Sequence, residues 1–374
     1  MTVSSLGSRA AEILSRPFTI NGMTVPNRIV MSPMTRMFSP GGIPGEDVAS
    51  YYARRAAADV GLLVTEGTYI GHRSAGGSDN VPRFNGEEQL AGWARVAEAV
   101  HAVGGRIMPQ LWHLGTVRPA GEAPYPDAPV LGPSGIGLDG TKVGQEMTVK
   151  DIDAVIASFA EAAADAERIG FDGVEVHGAH GFLIDQFFWP ATNRRTDAYG
   201  GDIAARAKFA AEIVAAIRSV VSPGFPVHFR FSQWKTFVWD VKIVDTPQEL
   251  EQLLAPIAEA GVDAFHASTR RYWAPEFDGS QLNLAGWAKK LTGKPSIGVG
   301  SAGLDGEFVG AVFNGENSQL RGIDDLLDRL ESEEFDLIAV GRALLQDPAW
   351  ATKVLHGRFD ELKPYDATAQ NSLS

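Results

Sequence analysis

Gly173-Val-Glu-Val-His177-Gly-Ala-His180-Gly-Phe182 is a short, mostly apolar run that breaks abruptly into a polar, glycine-flanked turn. A run of this length and composition reads as a strand buried on both faces, as in a parallel sheet. Seven more runs share the form: Arg28 to Met34, Gly61 to Thr65, Arg106 to Trp112, Val227 to Ser232, Ala264 to Ser268, Ser296 to Gly300 and Asp336 to Gly341. Helical patterns separate them. The one before Gly173 opens on Thr148 with Asp151 three residues later, a capping-box arrangement. It carries Ile152, Val155, Ile156, Phe159 and Ala163 on one face and stops at Gly170. Another opens on Thr246-Pro247 with Glu249, turns Leu250, Leu253, Leu254 and Ile257 inward, and is expected to kink at Pro256. Eight strands alternating with helices predict an α/β fold, a (β/α)8 TIM barrel, ahead of a doubly wound open sheet.

The chain is longer than a bare barrel, and the surplus has identifiable places. Phe18-Thr-Ile-Asn21-Gly22-Met-Thr-Val25 holds an Asn-Gly turn between short β-prone runs, so residues 18–26 read as an N-terminal β-hairpin cap. The Gly/Pro-rich stretch after the third strand is too long for an ordinary loop and predicts a lid-like insertion over 115–147. No linker or fixed-period repeat divides the chain, so 1–374 reads as a single domain.

Composition narrows the function classes. A net charge of -13 in 374 residues weighs against nucleic acid or an anionic membrane as partner. No stretch approaches the length of a membrane span, and the opening residues lack an apolar leader core, which makes the cytoplasm the expected address. A homo-oligomer is compatible with the sequence and not specified by it. With no cysteine, the chain has no disulfide, thiolate metal site or thiol nucleophile. Redox chemistry here requires a bound cofactor.

In such a barrel the site forms where strands end on the carboxyl side. The strand ends are polar in turn: Pro33-Met34-Thr35-Arg36, Thr65-Glu66-Gly67-Thr68, Gln110-Leu-Trp112-His113, His177-Gly-Ala-His180, Arg230 with Ser232-Gln-Trp-Lys235, Ser268-Thr-Arg270-Arg271-Tyr272-Trp273, Gly298-Val-Gly300-Ser301 and Gly341-Arg342. The last two have the form of a phosphate cradle after strands seven and eight. Gly298-Val-Gly300-Ser-Ala-Gly303 also matches G-x-G-x-x-G, but the acidic pair at the right offset, Asp324 and Asp325, sits in an amphipathic helical pattern, which argues against a dinucleotide fold.

These strand ends resemble the Old Yellow Enzyme family of FMN-dependent ene-reductases, from Asn27-Arg-Ile-Val-Met-Ser-Pro-Met-Thr35-Arg through Gly341-Arg-Ala-Leu-Leu-Gln-Asp-Pro348. The most specific piece is H-G-A-H-G at His177 followed by R-T-D-x-Y-G-G ending at Gly201. The resemblance implies an NAD(P)H:flavin oxidoreductase that takes hydride from NADH or NADPH through FMN and delivers it to a small electron-poor acceptor such as an enone, quinone or nitro compound. It implies that Pro33, Met34, Thr35 and Gly67 lie along the flavin, that Gln110 and Arg230 hold its pyrimidine edge, and that Gly300, Ser301, Gly341 and Arg342 bind its phosphate. His177 and His180 would grip the acceptor's oxygen, with His177 also near the cofactor. Tyr69, Trp112, Tyr272 and Trp273 are candidate substrate contacts, and no metal is implied.

One position departs from the family pattern. Where a tyrosine usually comes after H-G-A-H-G, this chain has Phe182, which can pack over the site but cannot donate a proton. Protonation would then fall to water or to another side chain such as Tyr69, Tyr199 or Tyr272. Taken singly, the residues also have plainer readings: His177 and His180 as core or metal-binding histidines, Arg230 as a buried ion-pair member with Glu66 or Glu175, and the tryptophans as core. These readings leave two alternatives, a redox-silent barrel lyase or metal-assisted hydrolase using His177 and His180, and a flavin-binding module without turnover.

Overall fold

The computed structural model describes residues 3–374; Met1 and Thr2, part of the single-domain reading, lie outside them. Eight parallel strands close into a barrel in sequence order: β1 (Ile29–Met31), β2 (Leu62–Tyr69), β3 (Ile107–Trp112), β4 (Val174–His180), β5 (Val227–Lys235), β6 (Ala264–Ser268), β7 (Ser296–Val299) and β8 (Leu337–Val340). Pairing of Ala339 with Val30 joins β8 to β1 and closes the ring, which rules out the open sheet. All eight expected strands are present. Almost every strand residue is buried, as expected for strands with the barrel interior on one face and helices on the other.

Local chemistry accounts for the helices between strands. Thr148 and Asp151 form a reciprocal capping box at the start of Val149–Arg168, and Thr246 and Glu249 do the same for Pro247–Glu259. The latter helix continues past Pro256 to Glu259. Among the described residues, no helix is long and apolar enough to cross a membrane.

The expected hairpin forms from Phe18–Ile20 and Met23–Val25. Ile20, Met23 and Val25 pack in one cluster with the interior residues Val30, Leu62, Val64, Met108 and Leu337, so the hairpin plugs the amino-terminal end of the barrel. Gly22 is required there: a Cβ would sit 2.5 Å from the carbonyl oxygen of Gly224. The opposite end is left open for a site.

Candidate active site

At the carboxyl end of the strands lies a cavity of about 470 Å³, within the range of small-molecule sites. Fourteen of the sequence-derived candidates line it: Pro33, Met34, Thr35, Gly67, Gln110, Trp112, His177, His180, Phe182, Arg230, Gly300, Ser301, Gly341 and Arg342. Backbone irregularities aim several of them. Pro33 has no N–H to continue the β1 ladder, so the chain leaves the sheet there. The β2–β3 register shifts between Val64 and Gly67, and the β4–β5 register shifts between Gly178 and His180. In the second bulge His180 adopts a left-handed φ of 65° and Gly181 one of 82°, the kind of strained geometry that persists where surrounding contacts impose it.

Those contacts are specific. The backbone N–H of His180 donates to Ser232 Oγ at 2.9 Å, and its carbonyl accepts from Thr236 N–H at 3.0 Å. Gly181 N–H donates to Asp185 Oδ2 at 2.5 Å. Trp234 stacks on the His180 ring with centroids 4.2 Å apart, while Trp112 stacks on His177 at 5.9 Å. Phe182 meets Trp112 edge-on at 4.8 Å and His177 at 5.1 Å, so its ring walls the two imidazoles.

A buried hydrogen-bonded chain runs across the cavity floor. Gln110 Nε2 donates to Glu175 Oε1 at 2.8 Å, and Glu175 Oε2 lies 2.7 Å from His266 Nδ1. Arg230 Nη1 lies 2.6 Å from His266 Nε2 and Arg230 Nη2 3.2 Å from Ser268 Oγ, which in turn is 2.7 Å from His180 Nε2. Burial disfavours charge on Glu175, but His266 and Arg230 outweigh it and hold the carboxyl down at about 2. Burial and then the charge of Arg230 push His266 down to about 4. At neutral pH the chain therefore carries one anion, Glu175, and one cation, Arg230, bridged by a neutral imidazole. Of the two partners considered for Arg230, Glu175 serves, through His266. Glu66 instead accepts the backbone N–H groups of Arg36 and Met37.

Three candidates lie elsewhere. Tyr69 is covered by the chain folding back over β2, with its N–H on Pro82 O and its carbonyl on Phe84 N–H. Tyr272 is buried with its hydroxyl on Asp325, and Trp273 lies under the Arg321 guanidinium at 3.5 Å. The loop after β6 thus turns both rings away from the cavity. Tyr199 donates to Glu212 at 2.9 Å, also outside it. No residue of 115–147 lines the cavity either. Fully buried Arg118 knits that segment together by donating to its own carbonyls of Ala128 and Tyr125 and ties it to Gly76 O at 2.7 Å, while Arg195 Nη1 donates to Pro133 O and Met147 O and holds its far end beside the barrel. Trp234, from the strand-five end, also lines the cavity, and residues not singled out from sequence complete the walls, among them Thr236, Phe308, Phe313 and Gln370. His266, not singled out from sequence, sits two positions before the strand-end Ser268 on β6, and inward alternation along that strand is the signal that could have found it.

The family of NADH:flavin oxidoreductases and NADH oxidases matches residues 14–320 of the chain. The chain belongs to that family, the flavoproteins of the Old Yellow Enzyme type. This Old Yellow Enzyme-type oxidoreductase is 34% identical over 361 residues to chanoclavine-I aldehyde reductase of Penicillium roqueforti, covering 94% of the chain and 91% of the relative. It is 33% identical over 355 residues to an NADH oxidase of Thermoanaerobacter brockii; the match takes 92% of the chain but 51% of that longer protein, so the chain spans about half its length. Its fold superposes on Old Yellow Enzyme from Pichia sp. AKU4542 with a TM-score of 0.77 at 25% identity, covering 96% of the chain and 90% of the neighbour. FMN is the family's cofactor and a nicotinamide its reductant.

The cavity fits FMN on its own chemistry. Arg230 Nε is buried without a partner in the protein, a donor in want of an acceptor. At Gly67 a Cβ would sit 2.6 Å from Trp112 Cε3, so only glycine lets the Trp112 ring take its place in the cavity wall. At the far end Arg342 donates to Ser301 Oγ at 2.9 Å, Gly306 O at 2.6 Å and Ser318 Oγ at 3.0 Å. These partners are neutral oxygens, so its positive charge stays available to a phosphate.

Proposed function

We propose that this enzyme transfers electrons from NADH or NADPH to a small electron-poor acceptor gripped through an oxygen by His177 and His180, and that quinones and nitro compounds are completed more readily than enones. The carrying observation is the cavity lining. Among the described residues it offers two imidazoles beside Phe182, and no Tyr, Asp, Glu or Lys. Burial, then the charge of Arg230, pushes His177 down to about 3. Burial, then the charges of His177 and Arg230, pushes His180 well below the usual histidine range. At neutral pH both rings donate hydrogen bonds and neither holds a second proton to give away.

Reduction of an alkene ends with a proton on carbon and benefits from a positioned acid. A quinone or nitro group takes its protons on oxygen, where water can supply them. FMN, when bound, supplies the two-electron transfer between nicotinamide and acceptor. In this reading Pro33, Met34, Thr35 and Gly67 flank its ring, Gln110 and Arg230 hold its pyrimidine edge, and Gly300, Ser301, Gly341 and Arg342 hold its phosphate. The His177 and His180 donors meet negative charge as it builds on the acceptor oxygen. Trp112 and Phe182 wall that spot.

The test is anaerobic stopped-flow mixing of the NADH-reduced protein with cyclohexenone, a quinone and a nitroaromatic. Faster reoxidation by the quinone and nitroaromatic than by the enone is expected. Flat traces for all three would replace the proposal with a flavin-binding protein that does not turn over.

A further inference from the structure

We propose that Ser268 is a positioning residue that sets the tautomer of His180, so that the site presents the Nε2–H of His177 and the Nδ1–H of His180 to an acceptor oxygen. The proposal builds on the oxygen grip described above and adds what determines its donors.

A guanidinium can only donate. Arg230 Nη2 lies 3.2 Å from Ser268 Oγ, so the oxygen accepts there and its one hydrogen is left for another partner. His180 Nε2, at 2.7 Å, is that partner. With the hydroxyl donating, Nε2 is an acceptor, and the neutral ring carries its proton on Nδ1. The reverse assignment makes Arg230 and His180 both donate to one oxygen and leaves the hydroxyl hydrogen without a protein acceptor, the poorer arrangement at a buried site. His177 is set the other way. Its Nδ1 faces the backbone N–H of Ala179 at 3.3 Å, which can only donate, so its proton sits on Nε2.

Ser268 holds the same ring a second time. Its carbonyl accepts the indole N–H of Trp234 at 3.1 Å, and Trp234 stacks on His180 at an interplanar angle of 23°. Strand pairing makes this possible, because β6 sets Ser268 opposite Ser232, whose hydroxyl receives the His180 backbone N–H. The His180 side chain is thus fixed by hydrogen bond and stack, and its backbone by the neighbouring strand. Ser268 also bridges Arg230, which faces the cofactor end of the cavity, to the imidazole that faces the acceptor.

The experiment needs no turnover. Protein labelled with 15N at the histidine ring nitrogens is studied by long-range 1H–15N correlation at pH 7, with and without FMN; His177→Gln and His180→Gln variants assign the signals. Wild type should show His180 as the Nδ1–H tautomer and His177 as Nε2–H. Ser268→Ala should shift His180 toward Nε2–H or a mixture, leave His177 unchanged and weaken phenol binding to the FMN-loaded protein about tenfold, the effect of one lost hydrogen bond. Ser268→Thr, which keeps the hydroxyl, should restore both readouts. A wild-type His180 in the Nε2–H form, or an Nδ1–H form that persists in Ser268→Ala, overturns the proposal. Because tautomers are read without an acceptor, flat reoxidation traces would sink the oxidoreductase reading and leave this one standing.

Discussion

Lys235 and Asp185 form an ion pair 3.1 Å apart with both side chains fully buried, directly behind the turn that carries His180. Asp185 also accepts the N–H of Gly181, and Lys235 Nζ donates to Gln233 O at 2.8 Å. The pair therefore ties the end of β5 to the strained turn after β4. Breaking one partner leaves the other charge buried and uncompensated. Asp185→Asn should destabilise the protein by about 3–5 kcal/mol in urea unfolding, whereas Asp185→Leu with Lys235→Met should recover much of that loss. An unchanged urea midpoint for Asp185→Asn would show that the pair holds nothing in place.

Phe182 sets an aromatic ring with no hydroxyl edge-on against Trp112 and His177. Phe182→Tyr should accelerate reoxidation by an enone roughly tenfold or more, in line with general-acid contributions, and leave quinone reduction nearly unchanged. Equal acceleration of both acceptors, measured by stopped flow, would mean that the hydroxyl acts by packing or orientation rather than as an acid.

The two imidazoles are expected to bind phenols, seen as a long-wavelength absorption band over the flavin. His177→Ala together with His180→Ala removes two donors and should weaken phenol binding about 10- to 100-fold, with FMN still bound. A band of unaltered intensity and midpoint would move the acceptor site elsewhere.

Acid should destabilise the fold through its histidines. Burial pushes His72, His113, His177, His180, His228 and His266 below the ordinary value of 6.5. Each resists protonation when folded but takes a proton when unfolded below about 6.5, so stability falls as pH drops, by up to about 1.4 kcal/mol per pH unit for each group. Two carboxyls act in the opposite sense: burial raises Glu66 to about 7 and Asp185 to about 6, so they favour the fold as pH falls. Six groups against two decide the sign. The melting temperature should drop between pH 7 and pH 5; a flat or rising melting temperature would contradict it.

Much of the site was legible because its residues sit at the ends of strands, and strand ends are a local property. His177, Arg230, Gln110 and Gly341 could each be placed by finding an apolar run and reading the polar residues at its carboxyl end. Tyr69 and Tyr272 fail the same rule. Both lie at or just past strand ends, but the chain beyond each strand folds back and engages them, Tyr69 through Pro82 and Phe84 and Tyr272 through Asp325. The 115–147 segment has the length of a lid, yet Arg118 reaches out of it to Gly76 O and Arg195 reaches into it at Pro133 O and Met147 O, and no local pattern announces that docking.

The sequence by itself determined the barrel, the hairpin plug, the absence of thiol chemistry and the phenyl ring of Phe182 directly after H-G-A-H-G, because periodicity, turn residues and residue identity are written within a few positions of one another. Tertiary structure alone decided which protons the site can use. The Gln110–Glu175–His266–Arg230–Ser268–His180 chain joins four strands, β3 to β6, whose members lie up to 158 positions apart in the chain, and the charge and tautomer of each depend on neighbours that only closure of the barrel brings within hydrogen-bond distance.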